Sequence, residues 1–171
     1  MHGGHAAIKR WLFLFTWACL LGLAGGGAQA ATCTVTATPL AFGGYASPGG
    51  ARVDSSAGVL VTCTPSYLLL ACKASYTLSL SSGTVGTPGA RQMAAGAGRL
   101  AYGLFSDAGR TVPWGDGGAG GATVGGTVTT SLLALLCLPG HQAHTIHGRI
   151  PALQSVPAGV YGDEVVLTVT Y

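Results

Sequence analysis

Apolar and polar residues alternate strictly in "SYTLSLS". Tyr76, Leu78 and Leu80 share one parity; Ser75, Thr77, Ser79 and Ser81 share the other. A period of two places each set on one face of an extended strand, so the segment reads as a half-buried β-strand. The pattern returns in "RLAYGLF" (Leu100, Tyr102, Leu104). It returns again at the C terminus, where Val165, Leu167, Val169 and Tyr171 oppose Val166, Thr168 and Thr170. Short runs of Thr, Val, Ser, Tyr and Leu are broken throughout by Gly and Pro, which makes the chain all-β. Candidate strands are Thr32 to Thr38, Gly58 to Thr64, Ser75 to Ser81, Arg99 to Ser106, Thr123 to Thr130, His144 to Ile150 and Glu164 to Tyr171. Short strands separated by turn signals point to a sandwich. "SLLALLCL", Ser131 to Leu138, fits either a helical turn or two or a strand buried on both faces.

The first thirty residues stand apart. Lys9 and Arg10 precede an apolar run from Trp11 to Leu23, and "GGGAQA" follows. This is the pattern of a secretory signal peptide with cleavage expected after Ala30; the run is short for a membrane span, and Cys19 is a bystander in it. The remainder, residues 31–171, has the length of one domain. It carries six Lys/Arg against five Asp/Glu and has no basic patch of the kind that holds nucleic acid. So few charges suit a protein packed against others. Four cysteines remain: Cys33, Cys63, Cys72 and Cys137. An even number in an exported chain reads as two disulfides with three possible pairings, and the spacing matches no zinc pattern.

No catalytic set emerges. There is no GxSxG, HExxH or Walker loop. Gly115 to Gly120 matches GxGxxG but lacks a strand-then-helix setting, so it reads as a flexible loop. His141, His144 and His147 are spaced so that a strand would send His144 away from the other two, which does not converge three imidazoles on one metal. They read as an exposed loop running into a strand. Asp163 and Glu164 are neighbours and would point to opposite faces, which makes Asp163 a turn acid beside Gly162 rather than half of an acid–base pair. Neither an enzyme nor a cofactor is expected.

Six motifs in order carry a resemblance over essentially the whole chain after the leader. They are "TPLAFGGY" (Thr38 to Tyr45), "VTCT" (Val61 to Thr64), "RQM" (Arg91 to Met93), "LAYGLFSD" (Leu100 to Asp107), "HGRIPALQ" (His147 to Gln154) and "AGVYGDEVVLTVTY" (Ala158 to Tyr171). This order resembles the spore coat protein U domain family, which includes subunits of archaic chaperone–usher pili. The resemblance implies an immunoglobulin-like β-sandwich that lacks its final strand and is completed by donor-strand complementation. It also implies a surface structural subunit of a pilus or coat. The implied partners are a periplasmic chaperone, an outer-membrane usher and other pilin subunits; the implied route is export through the periplasm to the cell surface.

On that resemblance Val165, Leu167, Val169 and Tyr171 face the core or the acceptor groove and form the chaperone-binding strand. The family's usual disulfide is Cys33–Cys63, leaving Cys72 and Cys137 as an additional pair. His147 stands where the family often has an aromatic residue. Only Ala31 and Thr32 precede Cys33 after the expected cleavage, so the subunit is expected to accept a donor strand without giving one, as a tip or minor subunit would. The alternative is a secreted, self-sufficient sandwich that binds carbohydrate or a surface partner.

Overall fold

The longest ladder joins β2 (Val53–Pro65) to β9 (Gly140–Ile150), antiparallel from Val53↔Ile150 to Cys63↔Gly140. Ala57, Val59, Val61 and Cys63 on β2, with Ile146 and Ile150 on β9, turn to the same buried side. The computed structural model describes residues 31–65, 72–87, 89–129, 132–133 and 136–171. The expected leader, Cys19 included, lies outside them. The other strands are β1 (Ala31–Ala37), β3 (Lys73–Leu80), β4 (Arg91–Ala95), β5 (Gly98–Phe105), β6 (Val124–Thr129), β7 (Leu132–Leu133), β8 (Leu136–Cys137) and β10 (Leu167–Thr170).

Two antiparallel sheets form, as the alternation demands. One has the order β1-β2-β9-β5-β4 and the other β10-β3-β6; β7 and β8 make a small separate hairpin. The sheets share one core, with Val59, Val61, Leu100, Leu104 and Ile146 from the larger sheet against Tyr76, Leu78 and Leu80 from the smaller. On β3 the expected parity holds: Tyr76, Leu78 and Leu80 are buried and Ser75 and Thr77 are exposed. The disulfides are Cys33–Cys63, which staples β1 to β2 across a matched register pair, and Cys72–Cys137.

Several elements differ from the sequence expectation, each for a physical reason. The strand expected at Gly58 begins five residues earlier, at Val53. "VDSSA" has weak strand propensity, and the pairing with β9 overrides it. β4 was not expected, because Arg91 occupies an inward position where alternation calls for an apolar residue. The described residues of "SLLALLCL" belong to neither sheet of the sandwich; they pair as Leu132↔Cys137 and Leu133↔Leu136. β10 starts at Leu167 rather than Glu164, because a side chain replaces the ladder just before it: Ser81 Oγ accepts from Val166 N at 2.9 Å, while Ser81 N donates to Val166 O at 3.0 Å.

The glycine-rich stretch after Trp114 is a built loop. Trp114 is only 1% exposed and its Nε1 donates to Leu78 O at 3.3 Å. Gly115 N donates to Ala122 O, Ala122 N to Pro113 O, and Leu80 N to Gly115 O, so the loop closes on itself and docks on the end of β3. Gly121 sits at φ 113°, against Pro113 O, where a side chain would not fit. Another substitution for backbone occurs beside β5. Past the end of β9, the Gln154 amide accepts from Ala101 N at 2.8 Å and donates to Ala101 O at 2.9 Å, continuing the ladder with a side chain.

Candidate functional site

β1 and β10 are edge strands of opposite sheets that approach each other on one side of the sandwich. Among the described residues β10 pairs only with β3, and β1 only with β2. Along this side runs a cleft of about 950 Å³. Its floor is core: Leu80, Met93, Leu100, Leu104, Ile146 and Ile150 all reach it. One lip is the segment after β1. Thr38 still bonds β2, with its N donating to Gly58 O at 3.0 Å and its Oγ1 accepting from Gly58 N at 2.9 Å. Pro39 has no N–H to continue the ladder, and the chain peels away. Leu40, Phe42 and Tyr45 then turn toward the core. Gly148 makes room for them: a Cβ there would lie 2.8 Å from Phe42 Cζ and 3.0 Å from Leu40 Cδ1.

The other lip is the stretch from Val156 to Leu167. Its first part covers the edge of β4, where Ala94 and Gly162 exchange both backbone bonds (2.9 and 3.1 Å). Ser47 Oγ clamps the two lips together at their far end, donating to Val156 O and accepting from Val156 N, each at 2.8 Å. Asp163 fastens the second lip to the body. Its carboxylate accepts from Tyr102 OH at 2.6 Å, from Thr84 N and Oγ1 at 2.8 Å, and from Glu164 N at 2.9 Å. Burial alone would raise the Asp163 pKa; the bonds from Tyr102, Thr84 and Glu164 outweigh it and hold the group below its ordinary value. The Tyr102 hydroxyl is pushed well up, first by burial and then by its contact with Asp163. Arg91, buried beneath the lip, donates to Ser81 O (2.8 and 2.9 Å) and Leu80 O (3.3 Å), and burial lowers its pKa.

What this arrangement offers a ligand is a long apolar floor between two chain segments with unmatched backbone. An extended peptide is the shape that fills such a space, with ladder bonds at the edge and alternate side chains in the floor. No three His, Cys, Asp or Glu side chains converge on one point among the described residues.

The Spore Coat Protein U domain matches residues 24–168. The chain belongs to the Spore Coat Protein U domain family. Among solved structures it is similar to the crystal structure of the CsuC–CsuE chaperone–tip adhesion subunit pre-assembly complex, from the archaic chaperone–usher Csu pili of Acinetobacter baumannii. The TM-score is 0.50 at 21% identity, over 82% of this chain and 40% of that one. At that identity the likeness speaks for the fold, and the present chain spans about two fifths of the other's length. No curated protein matches this chain.

Within this Spore Coat Protein U domain, the residues singled out from sequence fall as follows. Val165 and Leu167 line the cleft, and Val169 is half-buried against the core on the same parity. Tyr171, beyond the end of β10, is 43% exposed. The three histidines all lie on β9, which begins at Gly140, before the His144 expected as the start of the strand. His141 and His147 share its outer face, and His144 turns inward. Tyr76 OH donates to Gln142 Oε1 at 2.9 Å and lies 2.6 Å from His144 Nε2, and Trp114 meets the imidazole edge-on. Burial lowers the His144 pKa and raises that of Tyr76. Asp163 proves more than a turn acid, and Glu164 is exposed. Sequence reasoning missed the first lip and the Tyr102–Asp163 bond. The parity of Leu40 and Phe42 was a signal for the lip, obscured by Pro39 and the glycines at 43 and 44.

Proposed function

We propose that this chain is an exported structural subunit of an archaic chaperone–usher pilus, or of a related surface coat, and that a strand from another chain completes its sandwich in the cleft between Thr38–Tyr45 and β10. The observation that carries the proposal is the open side itself. Two edge strands of opposite sheets flank an apolar floor, and neither is covered among the described residues. Uncovered edges beside apolar surface are a liability in a free monomer and an asset in a subunit built to receive a strand. The similar structure is a subunit captured with its chaperone before assembly, which supports a periplasmic chaperone as first occupant. An usher and neighbouring subunits are then the later partners. Val165, Leu167 and Val169 are the acceptor-strand residues in this reading.

Residues 31–37 are committed to β1 and fixed by Cys33–Cys63. Any donor segment of this chain therefore belongs to residues outside the described ones. Export by the N-terminal leader, with cleavage after Ala30, is part of the proposal, and mass spectrometry of the mature N terminus checks it. The functional test is a soluble peptide with alternating apolar residues, copied from the donor segment of a co-assembled subunit. It should bind and raise the melting temperature, because a ligand of the native state stabilises it by mass action. A peptide of Ala31 to Thr38 should not. If the donor peptide leaves the melting temperature unchanged while the protein remains a stable monomer, the sandwich is self-sufficient and the proposal is wrong.

A further inference from the structure

We propose that the outer face of the five-stranded sheet carries a second binding site, a trough over β4 and β5 that takes an acidic sugar residue of a polysaccharide. It lies on the far side of the sheet from the cleft and does not depend on the strand-exchange reading. The trough has a volume of about 340 Å³, the low end of small-ligand cavities. It arises from side-chain size. On the outward parity of β5 the small side chain of Ala101 leaves a depression, with Gly103 at its rim. Phe105 closes one end with its ring laid back over the sheet: a Cβ added at Gly103 would stand 2.7 Å from Phe105 Cε2 and Cζ. Gln92 forms one wall, and Arg149 and Pro151 the other. The Gln92 amide has no hydrogen-bond partner among the described residues.

The charge of this face sets the class of ligand. Arg149 grips Asp54 through Nε (2.7 Å) and Nη2 (2.9 Å), and its Nη1 has no acceptor among the described residues. Arg110 Nη1 lies 3.6 Å from the same carboxylate and Arg52 Nε 4.0 Å. One acid thus faces three guanidiniums. Arg110 is held in place by Gly148 O, Ala108 O and Ser55 O, at a backbone φ of 58° that costs a side-chain-bearing residue energy. Asp107, the other acid nearby, is occupied by the backbone of Thr111 and Val112 and by the Thr111 hydroxyl. Arg99 adds a further cation on the outward parity of β5. An aromatic ring, a free amide and a cationic wall around a depression of about 340 Å³ fit a sugar with a carboxylate. The ring meets C–H groups, the amide meets hydroxyls and Arg149 meets the acid.

The test titrates the mature full-length protein with oligogalacturonides, neutral maltooligosaccharides and polyglutamate, by calorimetry. Oligogalacturonides should bind, less tightly at high salt, and maltooligosaccharides should not. Gln92→Ala and Phe105→Leu should each weaken that binding by about fivefold to tenfold, the worth of one polar or ring contact, with the melting temperature unchanged. If Phe105→Leu fails to fold, Gln92→Ala decides. Absence of oligogalacturonide binding overturns the proposal. So does equal binding of polyglutamate with no loss in either variant, which would mark a merely charged patch. A donor peptide should still bind the saturated protein; its failure in the sugar-free protein would count against the strand-exchange reading and leave this site standing.

Discussion

The hydroxyl of Tyr102, on the floor of the cleft, donates a 2.6 Å hydrogen bond to Asp163, on its lip. The larger sheet thereby holds the stretch that leads into the last strand of the smaller one. Tyr102→Phe removes one of four bonds to the carboxylate and should cost about 1 kcal/mol; Asp163→Ala orphans Thr84 N and the buried phenol together and should cost about 2–3 kcal/mol. Urea denaturation of the two variants checks the order. Equal losses would mean the lip is held by its Gly162–Ala94 bridge instead.

The same carboxylate predicts an acid limit. Its pKa is depressed below the ordinary 3.8, so the unfolded chain takes up the proton first as pH falls. The contribution of Asp163 to stability is therefore present above about pH 3.8 and lost below it. Asp163→Asn should flatten the stability-against-pH curve in that range.

His144 acts at a higher pH. Burial depresses its pKa below the ordinary 6.5, so the folded protein keeps the imidazole neutral where the unfolded chain would protonate it. Stability from this neutral pairing is present above about pH 6.5 and lost as pH falls through the lower folded value. The denaturation midpoint should fall between about pH 7.5 and pH 5 in the parent and change less in His144→Gln. An imidazole that titrates at its ordinary value by NMR would refute the assignment.

On β10, Leu167→Asp should prevent accumulation of exported protein, because it puts an unpaired charge among Leu80 and its core neighbours. Thr168→Asp, on the exposed parity, should be nearly silent. Comparable periplasmic levels of the two would show that the register is wrong.

The disulfides should prove unequal. They close loops of 30 and 65 residues in sequence separation, a difference that loop entropy alone makes worth only about 0.6 kcal/mol, in favour of the longer. Cys33 and Cys63 are buried in the core, whereas Cys72 and Cys137 are half-buried. Replacing Cys33 and Cys63 together by serine therefore adds buried hydroxyls to the lost crosslink and should cost more than the Cys72/Cys137 pair of replacements. Melting temperatures of the two double variants decide it.

Much of this was legible in the chain because strands write their burial into parity. Tyr76, Leu78 and Leu80, Leu100, Tyr102 and Leu104, and Val165, Leu167 and Val169 each announce a face, and each takes it. What stayed hidden depends on partners distant in sequence. Arg91 sits inward because the carbonyls of Leu80 and Ser81 await it, and Trp114 is the core residue of a loop that otherwise reads as featureless glycine. Val53 to Ala57 become strand only because β9 lies alongside. The site was half visible: the lip ending in β10 has parity, whereas the opposite lip is set by Pro39 leaving the ladder and by the gap at Gly148.

The Gln154 amide, paired with both backbone groups of Ala101, gives this fold a rung that is not made of main chain. A rung made of main chain survives any change of codon except one to proline, because its donor and acceptor belong to the polymer itself. Here heredity holds the rung directly. A single base change at residue 154 can leave the N–H and C=O of Ala101 on β5 without their partners, and among side chains of that length glutamine alone carries the amide that pairs both.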